Sequence, residues 1–298
     1  MPSEHHGTAG PDLSGEPLGI IHTQEQHSIR IEMKVRRWLW MVPMVLWLLS
    51  GCDLPSDSSR TAGMPAEVKA ADDALQRGDV ARATSLLEDI IRRHPLDRAT
   101  YVAVLSVCQD RKQWPLMARF AELAAAAVPA SDPRWKANFY NTAGEAYDRM
   151  GRFMDMVRVA EAAYKVLPDD PQTLNALGYA YAEAGIKLNE AIRLTTRAVE
   201  LGRDRGLNPE QLGAIVDSLG WAYYKAGRLS DAAATLAAAA NMSPGQMEIH
   251  YHLALAYRAQ GHIEDARIEL MRALAIEPGN RVVLQLLQEL GGSPPSDR

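Results

Sequence analysis

Few residues in this chain are arranged for covalent or acid–base chemistry. Its two cysteines, Cys52 and Cys108, are too few for a disulfide framework or a multi-cysteine zinc site. His250 and His252 are two apart, hence on different faces of any helix that holds them, and cannot chelate one metal; surface or groove positions are expected for both. Ser218 sits in Asp217-Ser218-Leu219-Gly220, within a helical pattern and not in the strand–turn–helix elbow that exposes a nucleophile. Cys108 falls at a packing position and reads as a buried structural thiol. Acidic and basic residues alternate along helices and read as solvated faces. There is no glycine-rich loop to cradle a phosphate. The expectation is a protein that is not an enzyme, holds no metal and carries no catalytic residue. Two features remain: the thiol of Cys52, and polar and aromatic residues at helical spacing between Asn175 and Arg258.

Cys52 follows Met33-Lys34-Val35-Arg36-Arg37 and the 12-residue apolar stretch Trp38 to Leu49. Twelve residues rise only about 18 Å as a helix, short of the roughly 30 Å hydrocarbon core, and Pro43 interrupts them. The segment therefore reads as the basic and apolar regions of a signal peptide. Leu49-Ser50-Gly51-Cys52 resembles the lipobox of bacterial lipoproteins. That resemblance implies cleavage at Gly51-Cys52, where small residues admit the peptidase, and a thiol that takes a diacylglycerol. The competing reading, a cysteine buried in an ordinary helix, meets Asp53, Pro55 and a serine-rich run to Ser59. Residues 1–32 lack hydrophobic periodicity and precede Met33, the expected start; the alternative is a cytoplasmic extension on an uncleaved anchor. Residues 52–63 would be a tether spanning roughly 20 Å. Asp53 resembles the inner-membrane retention signal of enteric bacteria, a rule that differs between lineages, so the choice of membrane stays open.

The 298 residues allow at most about two domains. With 47% hydrophobic and 23% charged residues the chain is neither disordered nor a multi-span membrane protein. A net charge of -5 gives no reason to expect nucleic-acid binding. The organising signal is internal repetition. Gly78, Gly151, Gly185, Gly227 and Gly261 align. Tyr147, Tyr181, Tyr223 and Tyr257 precede four of them by four residues, and Gly144, Gly178, Gly220 and Ala254 by seven. Seventeen residues after a glycine come Pro95, Pro168, Pro244 and Pro278. Physically this is a helix hairpin. A small residue lets the two helices approach, a left-handed glycine ends the first, and proline ends the second.

The pattern resembles the tetratricopeptide repeat. The resemblance implies an all-α, right-handed α-solenoid of about six hairpins over 64–290. Its units are 64–97, 98–131, 137–170, 171–205, 213–246 and 247–280, with a capping helix at 281–290 and a tail at 291–298. Lys112 replaces the glycine in the second unit, and the fourth carries one extra residue. Asp132-Pro133 and Asn208-Pro209 predict first helices that start about a turn early, with Asp132 and Asn208 as N-caps. In the capping helix, Arg281, Leu284, Leu287 and Leu290 are expected on one face.

In this family the first helices line a concave groove. Carried over residue by residue, that face offers Asn141, Glu145 and Asp148, then Glu183, Lys225 and His252, and above all Asn175, Tyr179, Asp217, Trp221, Tyr224, Tyr251 and Arg258 as candidate partner-binding residues. Aromatic residues and arginine dominate binding hot spots. The paired lysines, arginine and asparagines with which some members clamp a C-terminal carboxylate are missing, which argues against a chaperone-tail receptor. The resemblances together imply a scaffold held to the bilayer by acyl lipid on Cys52. It would face the periplasm of a bacterial envelope and bind an envelope protein in its groove, with no other cofactor. A cell-wall-acting enzyme and a structural spacer with no groove ligand are the alternatives.

Overall fold

A computed structural model describes residues 66–293 of the chain. Residues 1–65 and 294–298, and with them the expected signal peptide, Cys52, the tether and most of the tail, lie outside the described residues.

The described residues form thirteen helices and no strand. They run as six hairpins: α1 (Ala66–Gln76) and α2 (Val80–Arg93), α3 (Arg98–Asp110) and α4 (Trp114–Ala127), α5 (Pro133–Arg149) and α6 (Phe153–Val166), α7 (Pro171–Ala184) and α8 (Leu188–Asp204), α9 (Pro209–Lys225) and α10 (Leu229–Met242), α11 (Met247–Ala259) and α12 (Ile263–Ile276). A final helix, α13 (Arg281–Glu289), packs on α12. None of these helices is long and apolar enough to cross a membrane.

Every hairpin turn is closed in the same way. Gly78, Gly151, Gly185, Gly227 and Gly261 all have positive φ, and Lys112 takes the same left-handed conformation (φ 54°) where the glycine is replaced. The next amide reaches back over the turn: Arg152 N–H donates to the Tyr147 carbonyl at 2.9 Å, Arg228 to Tyr223 at 2.9 Å, His262 to Tyr257 at 2.9 Å, and Gln113 to Cys108 at 2.7 Å. This 6→1 bond satisfies a carbonyl that the helix end would leave open. In the fourth hairpin the extra residue is absorbed by a second left-handed position, Lys187 (φ 48°). That device also places a cation over the preceding tyrosine ring: Arg152 over Tyr147 at 4.9 Å, Lys187 over Tyr181 at 4.4 Å and Arg228 over Tyr223 at 4.5 Å.

Between the helices of a hairpin the core is built from alanine, which lets backbones come close. Ala163, Ala198, Ala239 and Ala273 are fully buried at equivalent places. The tyrosines pack between hairpins and bond as well: Tyr181 donates its hydroxyl to Glu161 of α6 at 2.8 Å.

Helices α5 and α9 start at Pro133 and Pro209, a turn ahead of their repeat units, as the Asp-Pro and Asn-Pro pairs predict. Their caps differ. Asn208 accepts the Gln211 amide at 2.8 Å, whereas Asp132 makes no capping bond because its carboxylate is drawn to Arg98 at 2.6 Å. The buried face of α13 is Val282, Val283, Leu286 and Leu287, not the row through Arg281, Leu284 and Leu290. Cys108 is fully buried, and burial pushes its thiol up to about 12, far from a reactive thiolate.

Candidate functional site

The first helices α5, α7, α9 and α11 lie side by side and present one face. Along it is a cavity of about 190 Å³. Helix α5 contributes Tyr140, Asn141, Gly144, Glu145 and Asp148; α7 contributes Gln172, Asn175, Ala176 and Tyr179. Helix α9 adds Glu210, Ala214, Ile215, Asp217 and Ser218, and α11 adds Glu248 and Ile249. The residues recur at three- and four-residue steps because one helical stripe faces the cavity.

Asn141 and Asn175 occupy equivalent places on successive first helices. Asn141 is 6% exposed, yet neither its amide nitrogen nor its amide oxygen has a hydrogen-bond partner; the Asn175 amide oxygen has none either. The Glu145 side chain retains 9% of its surface, and its nearest cation, Arg149, stands at 3.7 Å, beyond hydrogen-bond reach. Desolvation pushes the Glu145 carboxyl up to about 7, with the Arg149 charge opposing the shift. Buried polar groups are normally satisfied, which sets these atoms of the cavity wall apart.

Beyond the cavity runs a buried network. Trp221, 2% exposed, donates its indole N–H to Glu183 of α7 at 2.7 Å. Its ring stacks on Tyr224 at 4.8 Å and on His252 of α11 at 4.4 Å. The His252 Nδ1 lies 2.9 Å from Asp217, which is itself 5% exposed. His250 meets the Glu269 carboxylate at 2.7 Å and the Pro244 carbonyl at 3.1 Å. The expectation of surface or groove histidines and uniformly solvated charges is corrected in one respect: both rings are buried, each beside a carboxylate on a neighbouring helix.

Of the seven candidate binding residues, Asn175, Tyr179 and Asp217 come together on the cavity wall. Trp221 and Tyr251 flank His252, with Tyr251 at 6.3 Å from it, Tyr224 stacks on Trp221, and Trp221 and Tyr251 are buried. Arg258 is half-buried on the last turn of α11, away from the cavity lining. Glu248 joins the wall without having been singled out; the inward-facing second position of its repeat was the available signal. Ser218 lines the cavity but donates to the Ala214 carbonyl at 3.2 Å, as a helical serine does. Among the described residues no group of three or more histidine, cysteine, aspartate or glutamate side chains could hold a metal ion.

A family model described as tetratricopeptide repeat matches residues 218–281, from late α9 through α12. A TPR repeat-containing protein of Pseudomonas aeruginosa is 38% identical over 86 residues, covering 29% of this chain and 13% of its own length. The chain thus matches about an eighth of that relative. In a crystal structure of the APC/C hetero-tetramer Cut9-Hcn1, one chain is similar in fold, with TM-score 0.55 and 15% identity over 92% of this chain and 57% of that one. YrrB, a TPR protein with an unusual peptide-binding site, is similar at TM-score 0.41 and 18% identity over 68% of this chain and 97% of its own. Six hairpins closed by the same left-handed turn, with the repeat model matching residues 218–281, give this chain an all-α fold similar to that of tetratricopeptide-repeat proteins.

Proposed function

We propose that the chain is a scaffold that holds an extended segment of a partner protein against α5, α7 and α9, tethered to a membrane of the bacterial envelope by lipid on Cys52. Repeats of this family serve as surfaces for protein–protein interaction, and that coarse role follows from the fold. One observation supports the finer reading. The Asn141 and Asn175 side chains stand at equivalent places on neighbouring helices, with amide atoms unbonded at a cavity wall. A carboxamide offers one acceptor and two donors, the complement of a peptide unit in an extended chain. The lipobox-like Leu49-Ser50-Gly51-Cys52 supports the anchor, which would confine the partner to the membrane surface and raise its effective concentration.

Both halves have direct tests. Peptides selected by display on the full chain are expected to lose at least tenfold in affinity when Asn141→Ala and Asn175→Ala are combined. Unchanged affinity would end the groove reading. Cells grown with labelled palmitate are expected to label the wild type and not Cys52→Ala; label on the variant would end the anchor reading.

A further inference from the structure

The cavity has a charge preference. Its lining includes carboxyl groups from three helices (Asp148 and Glu145 on α5, Asp217 on α9, Glu248 on α11) and no lysine, arginine or histidine. Arg149 and His252 stand just behind the wall. Arg149 faces Glu145 at 3.7 Å, and His252 is bonded to Asp217. The Glu145 oxygens lack hydrogen bonds, and the buried Asn141 amide beside them is unbonded at both ends. What would complete this wall must bring N–H donors and positive charge. It must also match the apolar part of the lining, Ala176, Ile215 and Ile249. A lysine or arginine side chain has that form, an aliphatic stem below a cationic, donor-rich head.

Resting on the peptide-groove reading above, we propose that this cavity is the specificity pocket for one basic side chain of the bound segment. The stem of that residue lies on Ile215 and Ile249, and its ammonium or guanidinium turns toward Glu145 and the Asn141 carboxamide. Glu145 then sets which partner segments are accepted, and Asn141 and Asn175 hold the chain that carries them.

The test is a random twelve-residue peptide library displayed against the full chain, followed by titration of synthetic versions of the enriched peptides. The enriched set is expected to share one lysine or arginine. Replacing it by norleucine or citrulline should weaken binding at least tenfold, and Glu145→Gln should weaken the basic peptide to a similar degree while leaving the norleucine peptide unchanged. Thermal melts of Glu145→Gln, a near-isosteric change, confirm folding; should it fail to fold, the norleucine and citrulline peptides on the wild type decide alone. Enriched peptides with no shared basic residue, yet sensitive to Asn141→Ala and Asn175→Ala, would overturn the charge preference and leave the groove standing. No enrichment, or binding insensitive to both asparagines, would overturn the groove reading and this inference with it.

Discussion

Gly178 is where the hairpin geometry makes its sharpest demand. A Cβ built there would lie 2.6 Å from Thr195 Cγ2, 3.0 Å from the Ala191 carbonyl oxygen and 3.3 Å from the Thr195 amide nitrogen. Thr195 is fully buried, β-branched, and fixed by its hydroxyl donating to the Ala191 carbonyl at 2.8 Å, so it cannot turn aside. Two of the three contacts are backbone, and α7 and α8 would have to part. At Gly144, the same place one repeat earlier, the nearest atom is Val159 Cγ2 at 3.6 Å, an ordinary contact. Gly→Ala in a helix gains about 1 kcal/mol from propensity, and overpacking costs about 1–3 kcal/mol. The upper figure applies where backbone must move. Gly178→Ala is therefore expected to lose about 2 kcal/mol net and Gly144→Ala to gain about 1 kcal/mol. The gap of about 3 kcal/mol corresponds to roughly 6–12 °C in melting temperature for a domain of this size. Thermal melts of both variants followed by circular dichroism measure it directly. A Gly178→Ala protein as stable as Gly144→Ala would refute the close-approach argument.

The Glu145 carboxyl is pushed up to about 7 from 4.5, so the folded chain keeps a proton that the unfolded chain has released. Stability should then fall as pH rises from about 4.5 to about 7, by about 3 kcal/mol, and Glu145→Gln should abolish that fall. Urea titrations at pH 5 and pH 8 check this, and an equal effect of the variant at both values would count against it. Trp221→Phe keeps an aromatic ring, though a smaller one, but loses the N–H to Glu183, at a cost of about 2 kcal/mol for a buried bond to a carboxylate, read as a lower melting temperature. Removing residues 281–298 takes Val282, Val283, Leu286 and Leu287 off α12 and should increase dye binding to exposed apolar surface and promote aggregation; a truncated chain that stays monomeric with an unchanged melt would refute the capping role.

The hairpins were legible in the sequence because backbone geometry dictates their markers. A left-handed turn calls for glycine, and it accepted Lys112 where the surrounding register already fixed the turn. The extra residue of the fourth unit was visible as a displaced Ala191, and it appears as the second left-handed residue, Lys187. The polar interior was not legible. Glu183, Asp217, His252 and Glu269 sit at positions that a single amphipathic helix would give to water, and only the packing of neighbouring helices dries them. The pairing of Asp217 with His252 spans 35 residues, so no local spacing announces it. The phase of α13 was misread through its leucines; the pair-wise pattern Val282, Val283, Leu286, Leu287 marked the buried side.

The chain of contacts from Glu183 through Trp221 and His252 to Asp217 has a mechanical consequence. Stacked repeats usually come apart one at a time from an end, because each touches only its neighbours. Here, peeling off the sixth hairpin would take His252 from Asp217 and open one face of Trp221. Hairpins four to six therefore resist as one block. The second and third hairpins are joined partly by Arg98–Asp132, whose side chains are 51% and 34% exposed, a bond that water and salt weaken. Force applied at the amino-terminal end would strip the first hairpin, which touches the second only lightly, and then meet a stiffer segment. The cavity joins α7, α9 and α11 of that segment to Asn141 and Glu145 on α5 of the third hairpin, so its shape depends on the third hairpin staying docked on the block.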